Sequence, residues 1–371
     1  MIIGIDASKM AQPRAGIGYY IATLTETMSS LDGDSTFILY SSLPLNDIPH
    51  KDNVILRYLP SSFPPWWTQF ILPKALKADG VEIFWGGNYA VPIKKGTCWK
   101  VSTFHDLAFR KFPATLPFKR LLHLKGLAPL YLKSADRVIV VSNHTARDLY
   151  NYYHYPVEKT TVIYLAARNI FFCEVNQKYR DAVLNKYGLD PGYLLFVGTV
   201  EPRKGLHTAI EALVLLKGKI GFCPPLAVVG QFGWKTNNIM KTVKKHELEK
   251  NVIFLDYVED KEMPALYQGA LVLVNPSFYE GFSLPLIEAM ASRVPVISSC
   301  SSSLPEVGGD APLYFRPGDA NHLMQVLEEF LSNQNLQEAL SDRGFTRARY
   351  FSWDRTARET LDLFKNLVGK A

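Results

Sequence analysis

The chain has few cysteines, no long apolar run, no internal repeat and little surplus charge. Each shortage removes a class of protein. Four cysteines, Cys98, Cys173, Cys223 and Cys300, stand far apart in 371 residues. They form no Cys-x-x-Cys pair and no zinc-like spacing, so reduced thiols in a cytoplasmic protein are expected. No run of about 18 apolar residues exists, so no segment is expected to span a membrane. The opening Met1-Ile-Ile-Gly-Ile-Asp6 is too short an apolar run for a signal peptide, and its acid comes too early. Basic residues number 41 against 35 acidic ones, a net +6, which is too slight to argue for a nucleic-acid partner. What is present is a chain of 47% hydrophobic content, long enough for two ordinary domains.

Short apolar or β-branched runs alternate with helical stretches. In the first half, strands are expected at Ile2–Ile5, Phe37–Tyr40, Val54–Tyr58, Ile83–Trp85, Val101–Phe104, Val138–Val141 and Val162–Tyr164. In the second half they fall at Tyr193–Val197, Leu226–Val229, Val252–Leu255, Leu271–Val274, Val296–Ile297 and Leu313–Phe315. Such alternation predicts an α/β fold, with parallel sheets covered on both faces by helices. Two sets predict two doubly wound domains, residues 1–170 and 171–350. Phe351 to Leu367 reads as an amphipathic helix with Leu361, Phe364 and Leu367 inward, and 351–371 forms the last segment. Ligands in such folds bind beyond the carboxyl ends of the strands. Two facing domains would hold a ligand in the cleft between them.

Glu280 and Glu288 bracket Glu280-Gly-Phe-Ser-Leu-Pro-Leu-Ile-Glu288, between a buried strand and a helix. One carboxylate falls in the loop and the other about a turn and a half into the helix. The amides of Phe282, Ser283 and Leu284 lie where that helix begins, a place suited to an anion. Carboxylates around such a spot fit a ligand carrying both phosphate and sugar hydroxyls. Gly198-Thr-Val-Glu-Pro-Arg203-Lys204-Gly205 runs from another strand into a loop with two cations. A forked guanidinium beside a point charge matches a diphosphate. Gly16 and Gly18 follow the first strand and fit either a ligand-approaching loop or a tight turn. With no third glycine, they are not a dinucleotide fingerprint. His105-Asp106 follows the strand Val101–Phe104. His105 can donate to a sugar hydroxyl or stand beside developing positive charge; Asp106 can orient it or bind an acceptor hydroxyl. Asp32-Gly-Asp34 has a metal-binding look but falls at the amino end of a strand. It reads as a turn, and no essential metal or other cofactor is expected.

Phe109 to Lys133 holds no acid but has Arg110, Lys111, Lys119, Arg120, Lys125 and Lys133 among leucines, with Pro129 expected to kink any helix there. The stretch suits anionic lipid headgroups or ordinary packing, and the aromatic run Phe63-Pro-Pro-Trp66-Trp67 leaves the same choice.

These motifs together resemble glycosyltransferase family 4, the retaining GT-B enzymes with two Rossmann-like domains. Nearly the whole chain takes part. Its strongest parts are Gly198–Lys204, Pro276–Ala291 and Leu304-Pro-Glu306-Val-Gly-Gly-Asp310; Gly16, His105-Asp106, Ser142 and Phe351-Ser-Trp353 match in order. The resemblance implies an acceptor-binding first domain and a nucleotide-sugar-binding second domain, with the last helix crossing back to the first. It implies Glu280 on the donor sugar and Glu288 on the ribose. Arg203 and Lys204 would hold the diphosphate, helped by the Phe282–Leu284 amides and Gly16, and His105 would sit near the anomeric carbon. Ser283 stands where many relatives have Gly, Gly205 where many have Asn, and Arg293 where a small residue is usual. Gly230-Gln-Phe-Gly233-Trp234 is similar to relatives that use GDP-mannose and build O-antigen or exopolysaccharide. Mannose is therefore the first donor expected, with glucose from a UDP donor and a 6-deoxyhexose still open. The partners implied are a nucleotide sugar and a glycan or lipid-linked acceptor, and the basic stretch suggests that a lipid-linked acceptor would lie at the inner face of a bacterial membrane. Sugar-nucleotide epimerases share the architecture and would turn over without acceptor. A non-catalytic nucleotide-sugar binder would bind without transfer.

Overall fold

The structure, a computed structural model, describes all residues but 12, 13, 15, 46, 235, 370 and 371, and not the side chains of 120, 237 and 238. The chain forms two compact units. One comprises Met1–Arg110, Phe118–Ala166 and the chain from Phe351 on; the other comprises Lys111–Pro117 and Ala167–Tyr350. The sequence reading placed 111–117 with the first domain. That short stretch clusters with the second because Phe112 packs on Tyr279, with ring centroids 5.8 Å apart, and the Trp234 indole donates to the Thr115 carbonyl.

The first unit holds seven parallel strands: β1 Ile2–Asp6, β2 Thr36–Ser41, β3 Val54–Tyr58, β4 Ile83–Gly86, β5 Trp99–Phe104, β6 Arg137–Val140 and β7 Thr160–Val162. Their order is β3-β2-β1-β4-β5-β6-β7. The second unit holds β8 Tyr193–Val197, β9 Leu226–Val229, β10 Val252–Asp256, β11 Ala270–Asn275, β12 Val296–Ser299 and β13 Leu313–Phe315, ordered β10-β9-β8-β11-β12-β13. Every pairing is parallel, from Ile3 beside Phe37 to Ser298 beside Tyr314. Strands covered on both faces read as continuous apolar runs, which is why Ile3, Ile5, Phe37 and Leu39 are wholly buried. β7 begins two residues earlier than expected. Its ladder uses Thr160 and Thr161, β-branched but polar, so an apolar pattern points past them. β12 likewise continues through Ser298 and Ser299, both fully buried.

The helices pack by the 3.6-residue repeat. Leu206, Ile210, Leu213 and Leu216 form the buried stripe of the helix Leu206–Ile220, which stops at Gly221 in the left-handed region. Burying each such leucine stabilises by roughly 1.5–3 kcal/mol. The last helix, Trp353–Val368, buries Leu361, Phe364 and Leu367 within the first unit. Ser352 caps it by accepting from the Arg355 amide at 3.2 Å, and Thr356 donates to the Tyr164 carbonyl at 2.7 Å. Lys365 pairs with Asp32 at 3.1 Å, and Asp32 also accepts from the Ser35 amide at 3.2 Å. The Asp32-Gly-Asp34 segment thus ties a turn to the final helix. The helix Phe118–Ser134 runs on through Pro129. Among the described residues, no helix is long and apolar enough to cross a membrane.

Candidate functional site

In each sheet, chain connections leave in opposite directions from one pair of neighbouring strands. Loops at the carboxyl ends of such a pair open a crevice. In the second unit the pair is β8 and β11, followed by the Arg203–Lys204 loop and the Glu280 loop. Close backbone approach brings these loops together. Gly205 has φ +69°, and a Cβ there would lie 2.1 Å from the Pro276 carbonyl oxygen. Gly230 has φ +140°, with the Gly198 carbonyl oxygen 2.2 Å from its would-be Cβ. Only glycine allows both contacts. The Phe278 amide then donates to the Arg203 carbonyl at 2.9 Å.

The side chains form one ionic cluster. Lys204 Nζ lies 2.6 Å from Glu280 Oε1, and Ser277 Oγ donates to the same oxygen at 2.7 Å. Arg203 Nη1 donates to the Tyr279 carbonyl at 2.7 Å and reaches Glu280 Oε2 at 3.4 Å, while Nη2 donates to Glu201 Oε1 at 2.6 Å. Burial by itself would raise the Glu280 carboxyl. Lys204 and Arg203, with hydrogen bonds from Lys204 and Ser277, outweigh it and hold the group below the usual carboxylate range. The loop after β12 supports Glu280 from behind. The Glu280 amide donates to Ser302 Oγ at 2.8 Å, Ser303 Oγ donates to the Glu280 carbonyl at 2.9 Å, and Ser301 Oγ donates to the Ser277 carbonyl at 2.7 Å. Neither Glu201 nor this serine cradle was singled out in the sequence. The signal available was the run Ser298-Ser-Cys-Ser-Ser-Ser303 at the carboxyl end of a strand.

Glu288 has separate neighbours. Tyr267 donates to its Oε2 at 3.0 Å, and the Arg168–Asp260 ion pair stands near. Burial pushes the carboxyl up to about 7, with Arg168 and the Tyr267 hydroxyl opposing and Asp260 adding to the rise. The helix carrying Glu288 is Leu284–Ala291. Ser283 precedes it at φ +81°, a conformation that favours glycine, and its hydroxyl accepts from Asn275 Nδ2 at 3.0 Å. Arg293, also at positive φ, lays its guanidinium 4.0 Å from the Phe345 ring centroid.

In the first unit, the Gly87 carbonyl beyond β4 takes a hydrogen bond from His105 Nε2 at 2.8 Å. A carbonyl can only accept, so the proton is on Nε2 and the neutral ring leaves Nδ1 as an acceptor. Burial lowers the His105 pKa, against the Gly87 bond and the Asp106 charge, which favours that neutral ring. Tyr20 meets it edge-on at 4.9 Å. In this tautomer the Nε2 proton is engaged by the Gly87 carbonyl, and Nδ1 is the ring's acceptor. Asp106 Oδ1 accepts from the Ala108 amide at 2.9 Å and from the Tyr89 hydroxyl at 3.3 Å. Ser142 caps the helix Asn143–Tyr153, accepting from Thr145 N at 3.1 Å. Gly18 is a packing glycine, its would-be Cβ 2.4 Å from the Lys9 carbonyl oxygen, whereas Gly16 is exposed at a helix start. Among the described residues, no group of three or more His, Cys, Asp or Glu gathers as a metal site.

Residues 14–166 match the family model described as Glycosyltransferase Family 4, and residues 180–347 match the model described as Glycosyl transferases group 1. O-antigen chain mannosyltransferase B of Escherichia coli is 32% identical over 77% of this chain and 74% of that protein. O-antigen chain mannosyltransferase RfbU of Salmonella typhimurium is 28% identical over 76% of this chain and 70% of its own length. Serotype-specific mannosyltransferase WbdA of Escherichia coli is 27% identical over 63% of this chain, which spans 29% of that protein. Two solved structures share the fold. Sucrose-phosphate synthase from Thermosynechococcus elongatus aligns with a TM-score of 0.78 at 23% identity, over 100% of this chain and 99% of that one. WaaG, a glycosyltransferase involved in lipopolysaccharide biosynthesis, aligns at 0.76 and 18% identity, over 98% and 99%. This chain therefore belongs to the family 4 glycosyltransferases of the GT-B fold, and it is a sugar-transferring enzyme.

Proposed function

We propose that the enzyme transfers mannose from GDP-mannose, with retention of configuration, to a glycan or lipid-linked acceptor in O-antigen-type polysaccharide synthesis. The mannosyltransferase names of its relatives support the sugar. The observation that carries the chemistry is the Arg203–Lys204–Glu280–Glu201 cluster at the crevice of the second sheet. Breaking the anomeric C–O bond leaves negative charge on the diphosphate and positive charge on the sugar. Arg203 and Lys204 would exchange their carboxylate partners for diphosphate oxygens, stabilising that charge with preorganised donors. The amides around Phe282, Ser283 and Leu284 add a helix start. On this reading no metal ion is required. Glu280, freed from Lys204, would accept from sugar hydroxyls, and Glu288 would accept from the ribose. His105 Nδ1, Asp106 and Gly16 are the first unit's candidates for sugar and acceptor contacts. Front-face attack fits retention, with the leaving phosphate taking the acceptor's proton.

A thermal-shift screen of nucleotide sugars tests the donor, because a ligand at 100 times its Kd stabilises by about 2.7 kcal/mol. GDP-mannose should stabilise most. A larger shift with UDP-glucose would replace mannose in this reading.

We further propose peripheral contact with the cytoplasmic face of an anionic membrane. The helix Phe118–Ser134 leaves Phe118 70%, Leu122 55% and Leu130 42% exposed, near Lys119 and Lys133. Such a mixture suits an interfacial helix. Of the aromatic run, Trp66 is exposed, whereas Trp67 is buried and its indole donates to the Leu59 carbonyl at 2.8 Å. Flotation with anionic vesicles should carry the protein, and Phe118→Ser with Leu122→Ser should release it.

A further inference from the structure

A cavity of about 730 Å³ opens at the amino end of β5, within the first unit. Trp99 begins that strand in the cavity, and Phe104 ends it just before His105. Six residues at about 3.3 Å each set the cavity roughly 20 Å from the His105 end. It is therefore a separate place from the candidate transfer site.

The lining is mixed in a particular way. Leu130, Ile93 and Trp99 supply apolar wall, and Lys95 and Lys133 supply exposed ammonium groups. Lys100 is different, being only 6% exposed. Its Nζ donates to the Pro92 carbonyl at 3.1 Å and the Lys94 carbonyl at 3.3 Å. An ammonium has three donors, so these carbonyls satisfy two. A buried cation is costly without a counter-charge. Asp136, the acid of the cavity, supplies part of that counter-charge through space, and its Oδ2 accepts from the Lys100 amide at 2.7 Å. The loop over the cavity is fixed on both sides: Ser134 Oγ donates to the Ile93 carbonyl at 3.1 Å, and Gln69 Oε1 accepts from the Ile93 amide at 2.7 Å. Leu130 also belongs to the stripe Phe118, Leu122, Gly126, Leu130, spaced by four along one helix and exposed at each position. Cationic rim, buried ammonium and adjoining apolar stripe together complement an anion that carries a hydrocarbon chain.

We propose that this cavity binds the phosphate headgroup of an anionic lipid, with the lipid's chain lying along the Phe118–Leu130 stripe. The proposal rests on the membrane reading above and names the lipid class and the headgroup seat. Lys95 and Lys133 receive the phosphate at the mouth, and Lys100 offers its remaining donor at the floor.

Flotation with vesicles of phosphatidylcholine and phosphatidylglycerol in equal parts, against pure phosphatidylcholine, gives the first readout. The surface pair Lys95→Gln with Lys133→Gln should weaken binding to the anionic vesicles roughly thirtyfold, the attraction of two basic residues to such a surface. Cys98 lines the cavity and gives the second, through alkylation by N-ethylmaleimide mapped by mass spectrometry. Dihexanoyl phosphatidylglycerol should protect Cys98, while dihexanoyl phosphatidylcholine and inorganic phosphate should not. Equal protection by inorganic phosphate would overturn the lipid assignment in favour of a free-anion site. Retained flotation in the Lys95/Lys133 variant, with loss in the Phe118/Leu122 variant, would overturn the cavity proposal and leave membrane contact standing. Absence of flotation together with an unprotected Cys98 would overturn both.

Discussion

Glu288→Gln should change the pH dependence of stability more than stability itself. The wild-type carboxyl is pushed by burial from 4.5 up to about 7. It is therefore protonated in the folded state over a range where the unfolded chain is already ionised. The folded state binds the extra proton, so stability falls as pH rises through that range. Stability contributed by the neutral carboxyl is complete below pH 4.5. It declines by about 1.4 kcal/mol per pH unit and is lost above about pH 7, about 3 kcal/mol in all. Glutamine keeps an oxygen to accept from Tyr267, which lies 3.0 Å from Oε2, and it carries no charge to desolvate. Near pH 4.5 the variant should match wild type; at pH 8 it should be more stable by about 3 kcal/mol. A chain of two compact units need not unfold in a single two-state step. The assay is therefore hydrogen exchange across a urea series, read on peptides from β11 and the helix Leu284–Ala291. A stability difference that is the same at pH 5 and pH 8 would refute the buried-carboxyl reasoning. On the proposed ribose role, the same variant should also bind nucleotide sugar more weakly at pH 8.

Arg203→Ala should lower kcat roughly 100- to 1,000-fold in a transfer assay, as expected for losing one preorganised donor, and near-normal turnover would sink the phosphate assignment. Gly205→Asn tests the loop contact: asparagine tolerates positive φ, so the Cβ 2.1 Å from the Pro276 oxygen is its main penalty. Thermal denaturation should show destabilisation by about 1–3 kcal/mol, the range of an overpacked site, together with reduced turnover. Phe364→Ala in the final helix should destabilise the first unit by about 3–5 kcal/mol, because Phe364 is fully buried. Urea denaturation followed by tryptophan fluorescence would measure it, because five of the six tryptophans lie in that unit.

The strand positions were legible because parallel strands buried on both faces write themselves as apolar runs. Thr160-Thr161 and Ser298-Ser299 broke that signal by taking strand positions with polar side chains. Glu280, Arg203 and Lys204 stood out because charged residues at carboxyl ends of strands have few packing reasons to be there, and Glu288 because it is a second carboxylate just inside the helix that follows Glu280. Their partners did not stand out. Glu201, beside Pro202 and Arg203, reads as a surface acid, yet it is 6% exposed and holds the guanidinium. The serines behind Glu280 read as loop filler until the fold laid them against it. The departure at Ser283 was visible as a letter, but its positive φ and Asn275 bond were not. The association of 111–117 with the second unit rests on Phe112 and Thr115 meeting residues more than a hundred positions away, which no local pattern encodes.

The central claim is that the Arg203–Lys204–Glu280 cluster supports sugar transfer from a nucleotide donor. Its most direct test is a transfer assay of purified enzyme with GDP-mannose and a lipid-linked glycan acceptor, run beside Lys204→Ala and read by mass spectrometry. The wild type should add one hexose to the acceptor, at a rate at least about 100-fold higher than the variant's. Product formed as fast by Lys204→Ala as by the wild type would contradict it.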